Sequence, residues 1–265
     1  MEFDNLNSCK RDSLKVLLSL YKSANAGHIG SSLSCLDILL YLYLFRMTKN
    51  DKFVLSKGHA ALALYVTLVE AGLLEKKVLE TFYKNGTSLA AHPPCNKSIS
   101  AIPFGTGSLG HGLSLAIGFA FSNRFTLKND KIFCVLSEGD CNEGSTWEAA
   151  LFAAQHKLKN LYVIIDNNQL QGFGKTEDVL NLEPFIDKWN AFNFDVEIAK
   201  NGNDFESLHN AFENLERRNS NKPKCIIAKT KKGSGVSFME NKMEWHYLPM
   251  SDEQYIQAIT EINKL

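Results

Sequence analysis

Residues 132–150 read IFCVLSEGDCNEGSTWEAA, and the reading of this stretch decides the fold. Five apolar residues, 132–136, run straight into Ser137-Glu138-Gly139-Asp140-Cys141-Asn142-Glu143-Gly144, and a Trp-bearing helical pattern follows. A short apolar run bounded by turn residues reads as a buried strand. Three carboxylates and two glycines in the next eight residues then stand at a strand's carboxyl end. In open parallel sheets that edge is where ligands sit.

Working outward, the same alternation covers the chain. Strands are expected at 53–55, 132–136, 161–165, 196–198 and 225–228. Helical periodicity predicts helices at 4–25, 33–46, 59–72, 75–85, 110–124, 145–158, 183–193, 204–218 and 251–263. Ser251 and Gln254 have the capping-box spacing at the start of the last one. Val- and Ile-rich strands separated by helices predict an α/β fold, a mostly parallel sheet with helices on both faces. With no repeat, linker or low-complexity tract, residues 1–265 read as a single domain.

Composition narrows the function classes. The chain has 265 residues, 45% of them apolar, so it can bury a sizeable core. Formal net charge is zero, which argues against nucleic acid, since phosphate-backbone binding draws on an excess of Lys and Arg. The run containing Lys222, Lys224, Lys229, Lys231 and Lys232 reads as a solvated strand edge. The six cysteines, at 9, 35, 95, 134, 141 and 225, form no CxxC and no zinc spacing, so reduced thiols and a cytoplasmic setting are expected. The polar N-terminus is no signal peptide, and the longest apolar run, 38–45, is shorter than a membrane span; no membrane partner is expected.

Three motifs carry chemistry. The second strand exit, Ile164-Ile165-Asp166-Asn167-Asn168-Gln169-Leu170, also ends in oxygen-bearing side chains. It lies one strand–helix–strand unit after Glu138, so Glu138 and Asn168 can stand on neighbouring strand ends. A carboxylate and an amide oxygen there suit a hard cation such as Mg²⁺, whose remaining positions go to phosphate oxygens and water. Gly105-Thr106-Gly107-Ser108-Leu109-Gly110 fits GxGxxG. It fails the dinucleotide test, because no buried strand precedes it at 98–104 and no acid ends the next strand. It reads instead as a tight turn whose backbone can approach a ligand closely. Finally, His28, His59, His92 and His111 each touch glycine or proline, and His246 follows Trp245. Imidazoles exchange hydrogen bonds and protons near neutrality, which suits a polyhydroxylated substrate.

In order, GHIGSSLS, LSKGHA, the AHP step, TGSLGHGLS, EGxxxEGxxWEA, DNNxLQ and GVSFMENKMEWH span residues 27–246. This series strongly resembles the N-terminal half of transketolase in its split, two-chain bacterial form. The resemblance implies the diphosphate-holding domain of a thiamine diphosphate-binding fold. It implies thiamine diphosphate and Mg²⁺ (or Ca²⁺ or Mn²⁺) as cofactors, with the metal on Glu138, Asn168 and the Leu170 carbonyl. Cofactor contacts map onto Gly107, Ser108, Leu109, Gly139, Asn168 and His59, with Asp140 as a further contact or substitute metal ligand. Catalytic, substrate-facing roles map onto His28, His59, His92 and His246, and a dimer-interface acid onto Glu143. The implied activity is transfer of a two-carbon ketol unit from a ketose to an aldose. The implied partner is a C-terminal subunit with the pyrimidine-binding half, in an α2β2 assembly. Two departures stand out: Ser137-Glu138-Gly139 where the family usually reads Gly-Asp-Gly, and Phe173 where an Asp is common. They suggest a specialised branch serving sugar biosynthesis. The alternatives are another thiamine-dependent enzyme half, of the deoxyxylulose-phosphate synthase kind, or a non-catalytic subunit that keeps the fold.

Overall fold

Five parallel strands form one sheet in the order β1-β2-β3-β5-β4: β1 (Lys52–Leu55), β2 (Ile132–Ser137), β3 (Leu161–Asn167), β4 (Asp195–Ala199) and β5 (Lys224–Lys229). The computed structural model describes residues 3–95, 99–126 and 128–265. Met1 and Glu2 of the N-terminal stretch, and Ser98 of the stretch ahead of the glycine run, lie outside the described residues. The helices among the described residues are α1 (Phe3–Ala24), α2 (Ile29–Tyr41), α3 (Ala61–Glu70), α4 (Lys76–Leu79), α5 (Gly112–Thr126), α6 (Glu138–Cys141), α7 (Gly144–Gln155), α8 (Thr176–Leu180), α9 (Phe185–Ala191), α10 (Phe205–Arg217) and α11 (Asp252–Ile262).

The strands are apolar on both faces because both faces are covered. Phe133, Val135, Tyr162, Ile164, Ile226 and Ala228 point into one core with α1, α2, α3, α10 and α11. Their neighbours Ile132, Cys134, Leu136, Val163, Ile165, Cys225 and Ile227 point into a second core with α5, α7 and α9. Every residue of α2 is buried, so this helix has no solvent face. The run Ile29–Arg46, which adds a π turn at Leu42–Arg46, is long and apolar enough by length and composition to cross a membrane. Here 78% of it is buried inside the fold.

Three expectations need correction. The helix expected at 75–85 stops at Leu79, and the chain then turns through Tyr83 at φ 59°. The Thr87 hydroxyl closes that turn by donating to the Thr81 and Lys84 carbonyls. The helix expected at 33–46 starts at Ile29, because Ser32 and Ser34 find buried partners in Tyr21 and Asp166 rather than acting as turn residues. The basic run is not an edge, and it is solvated only at Lys222, Lys229 and Lys231. β5 lies between β3 and β4, and Lys224 and Lys232 are buried, with Lys224 donating to the Lys159 carbonyl.

Candidate active site

Register places the site. Ser137 is paired with Asp166, so Glu138 and Asn167 leave the sheet side by side. Ser137 caps α6 in a capping box with Asp140. Asp140 is fully buried. Its Oδ1 accepts from the Ser56 hydroxyl at 2.5 Å and the Gly110 N–H at 2.9 Å, and its Oδ2 from the Ser137 N–H and hydroxyl, both at 2.8 Å. Four donors use up the carboxylate's lone pairs. Asp140 is therefore not a substitute metal ligand and does not line the cavity; it ties the GxGxxG turn to the end of β2.

Beside this loop lies a cavity of about 260 Å³ walled by His28, His59, His92, His246, Lys57, Lys232, Gly107, Leu109, Glu138, Gly139, Asn168 and Leu170, among others. The four imidazoles converge in it. His28 lies 5.6 Å from His59, 5.8 Å from His92 and 5.0 Å from His246, between ring centroids. His28 takes a left-handed backbone, φ 70°, and its N–H donates to the His246 carbonyl at 3.0 Å, joining the start of α2 to the loop before α11. Burial, with help from His92 and Lys232, pushes His28 down to about 4. Burial and then Lys232 push His246 down to about 3. Burial lowers His92 as well, and His59 is lowered by burial and then Lys57. At neutral pH all four are uncharged rings offering one donor and one acceptor each.

Two lysines, neither among the expected site residues, organise this wall. Lys232 Nζ donates to His246 Nδ1 at 3.0 Å and to the Leu170 carbonyl at 3.3 Å. An ammonium has no acceptor, so His246 carries its proton on Nε2. Burial, then Lys57, lowers Lys232 to about 8. Lys57 is wholly buried and ion-paired with Asp166, and donates to the Ser31 carbonyl at 3.0 Å. Burial pulls Lys57 down, but the Asp166 carboxylate, with Cys35 and Asp140 adding to it, raises it on balance. Asp166 also accepts from the Ser34 and Thr230 hydroxyls and from Asn168 Nδ2, so both oxygens of the buried carboxylate are hydrogen-bonded. In the sequence this pair shows only as the Lys of LSKGHA and the Asp that follows the apolar run 161–165; Lys232 is hidden in the basic run.

Glu138 is buried, and desolvation raises it to about 7 against the pull of the Gln169 N–H. Its Oε1 accepts from Asn167 Nδ2 at 2.7 Å and its Oε2 from the Gln169 N–H at 2.6 Å. Asn168 Oδ1 accepts from the Leu170 N–H at 3.0 Å. Glu138, Asn168 and Leu170 also line a second cavity of about 290 Å³, on the side of Asn167, Gln169, Thr176 and Phe185. They form a partition between the two spaces. Among the described residues no three His, Cys, Asp or Glu side chains cluster to hold a metal; an ion at this partition would rest on one carboxylate and two neutral oxygens.

The remaining expected positions divide. A Cβ on Gly139 would stand 2.9 Å from Leu109 Cδ1, and one on Gly107 3.2 Å from the His92 ring. Both glycines keep backbone open to the cavity. Ser108 is exposed and is not part of the cavity wall. Glu143 is exposed as the N-cap residue of α7, against Gly110 and outside the cavity. Tyr247, not expected from the sequence, does line the cavity; its hydroxyl lies 2.5 Å from where a Gly172 Cβ would be.

Residues 13–262 match the family model for the transketolase thiamine diphosphate binding domain. An apulose-4-phosphate transketolase subunit of Phocaeicola vulgatus is 38% identical over 273 residues, covering 100% of this chain and 96% of that protein. The 6-deoxy-6-sulfo-D-fructose transketolase subunit SqwG of a Clostridium species is 34% identical over 260 residues, covering 94% and 93%. Among solved structures, transketolase from Campylobacter jejuni superposes with TM-score 0.86 at 28% identity, over 99% of this chain but 43% of that one.

Proposed function

This chain belongs to the transketolase thiamine diphosphate-binding domain family, and from that premise we propose that it is the diphosphate-holding subunit of a split enzyme that moves a two-carbon ketol unit from a ketose to an aldose. The observation that carries the reading is one cavity lined both by Glu138, Asn168 and Leu170 and by four uncharged imidazoles. The residues fit the implied cofactor. Gly107 and Gly139 leave backbone free for close approach, and buried Glu138 lacks a full countercharge. Glu138, Asn168 and the Leu170 carbonyl would hold Mg²⁺, or Ca²⁺ or Mn²⁺, since hard cations take such oxygens. When bound, thiamine diphosphate supplies the nucleophilic carbon and the electron sink for C–C cleavage.

The chain's own residues bind and orient the sugar. His28, His59 and His92 exchange hydrogen bonds with its hydroxyls. His246, its Nδ1 held by Lys232, turns an Nε2–H donor to an oxygen that gains charge during cleavage. The buried Lys57–Asp166 pair fixes the floor on which His59 stands. Glu143 is our candidate for the contact with the second cofactor site of an α2β2 assembly. Relatives named as transketolase subunits support a separate pyrimidine-binding subunit. Six free thiols, four of them buried, support a reducing, cytoplasmic setting. Two of the relatives are named for apulose 4-phosphate and 6-deoxy-6-sulfo-D-fructose, and we place this chain's donor among such specialised ketoses, outside central pentose metabolism.

The test is purification from the native cell with native mass spectrometry, followed by turnover assays on a ketose panel. The expected result is a complex with a second chain, thiamine diphosphate and a divalent cation. His59→Ala should keep cofactor binding but lose about two or more orders of magnitude in the kcat of ketol transfer. A chain that binds no thiamine diphosphate even with Mg²⁺ added overturns the reading. Best activity on xylulose 5-phosphate with ribose 5-phosphate overturns the specialised donor alone.

A further inference from the structure

We propose that Asn167 is the positioning residue that lets a glutamate do the work of a cation ligand in this chain; the inference rests on the cation site proposed above. Glu138 opens α6 under a capping box, so its backbone is fixed. Its carboxylate then reaches one methylene farther than an aspartate's would from the same Cα. Left free, that extra length would carry the charge forward into the histidine-lined cavity. The structure takes it up from behind. Asn167, beside Glu138 through the Ser137–Asp166 register, donates to Oε1 at 2.7 Å. The Gln169 N–H donates to Oε2 at 2.6 Å, from a residue in the left-handed conformation at φ 63°. A non-glycine residue adopts that conformation at some cost.

Asn167 and the Gln169 N–H each meet one oxygen and the Thr176 hydroxyl approaches from the same rear side, which leaves the carboxylate a lone pair for an ion. The direction of the pull is visible in the two cavities. Asn167 and Gln169 line only the rear one, whereas Asn168 and Leu170, the other two oxygen donors, line both. The clamp holds the carboxylate from the rear, at the partition it shares with those donors. Asn167 thus touches no ligand itself and acts through Glu138, as partners of metal-bound carboxylates do.

The experiment is an Mg²⁺ titration of thiamine diphosphate binding, by calorimetry, on the complex of this chain with its partner subunit. Asn167→Leu, with the same branching but no N–H, should raise the Mg²⁺ concentration for half-saturation by about 10-fold or more. In a Glu138→Asp background the shorter carboxylate needs no clamp, and the same substitution should change it by less than about twofold, the non-additivity expected of a coupled pair. Asn167→Ser guards against a folding defect and should move binding in the same direction, with an unchanged unfolding midpoint in the absence of Mg²⁺. An N167L titration equal to wild type overturns the inference, as does an equal loss in both backgrounds, which would mark a merely structural side chain. Wild-type binding that ignores divalent cations overturns the cation site itself and the clamp with it.

Discussion

At the scale of single residues, the site is governed by what burial does to charge. His28 and His246 sit in the fold at about 4 and about 3, below the ordinary 6.5, because protonation would put charge into a desolvated wall beside Lys232. The unfolded chain therefore takes up protons first as pH falls. These groups' contribution is complete above about pH 6.5 and is lost as pH drops from there toward 4 and then 3. A thermal unfolding midpoint that declines from pH 6.5 to pH 4 checks this, and His246→Gln should flatten the slope. Lys232→Met removes a nearby positive charge, so the His246 imidazole should titrate at higher pH by NMR. Residue types and neighbours drew attention to Glu138, Asn168 and the histidines, and the resemblance gave them their expected roles. It misjudged Asp140 and Lys232, because a one-letter code shows a carboxylate or an ammonium but not which lone pairs and protons are already taken.

At the scale of elements, the strands were legible because their apolar runs are short and rich in Val and Ile, unlike the longer buried run of α2. Helix ends were not. α2 begins four residues before its apolar periodicity suggests, because buried serines find partners on α1 and β3. The loop after β2 shows what holds such an element. Asp140 binds donors from the end of β2, from Ser56 and from Gly110, so it fastens three segments at once. Asp140→Ala should cost about 3 kcal/mol or more in urea unfolding, from the lost cap and the orphaned donors, with Mg²⁺ affinity following stability rather than leading it. Gly112 is the other fastening. A Cβ there would lie 2.4 Å from Ser56 Cβ, where α5 meets the loop after β1. Gly112→Ala should destabilise by about 1–3 kcal/mol, read by the same method.

At the scale of the whole molecule, the sheet order sets β2 and β3 side by side near its middle, and their exits bring together residues from distant parts of the chain. His28 before α2, His59 before α3, His92 in a long loop and His246 before α11 share one cavity. Their convergence was readable only through the resemblance, because periodicity assigns elements and not their neighbours. The surface still carries apolar side chains: Leu151 and Phe152 on α7, Phe125 on α5, and Phe173, 85% exposed, on the cavity rim. Phe173→Ser should leave folding intact within about 0.5 kcal/mol, since an exposed side chain away from packed features contributes little. If the mouth it borders admits the sugar, KM should shift while the unfolding midpoint does not.

If Glu138, Asn168 and Leu170 hold the proposed cation, their place in a partition between two cavities has a kinetic consequence. A ligand set at the bottom of a blind pocket would trap its ion beneath the diphosphate, and a chelator would wait for the organic molecule to leave. A set built as a wall has a back door, through the chamber lined by Thr176 and Phe185. Ion exchange should then proceed past a resident cofactor. Stopped-flow chelation should strip the cation at a rate that does not slow as thiamine diphosphate is raised, and the order in which the two are added should leave no lag.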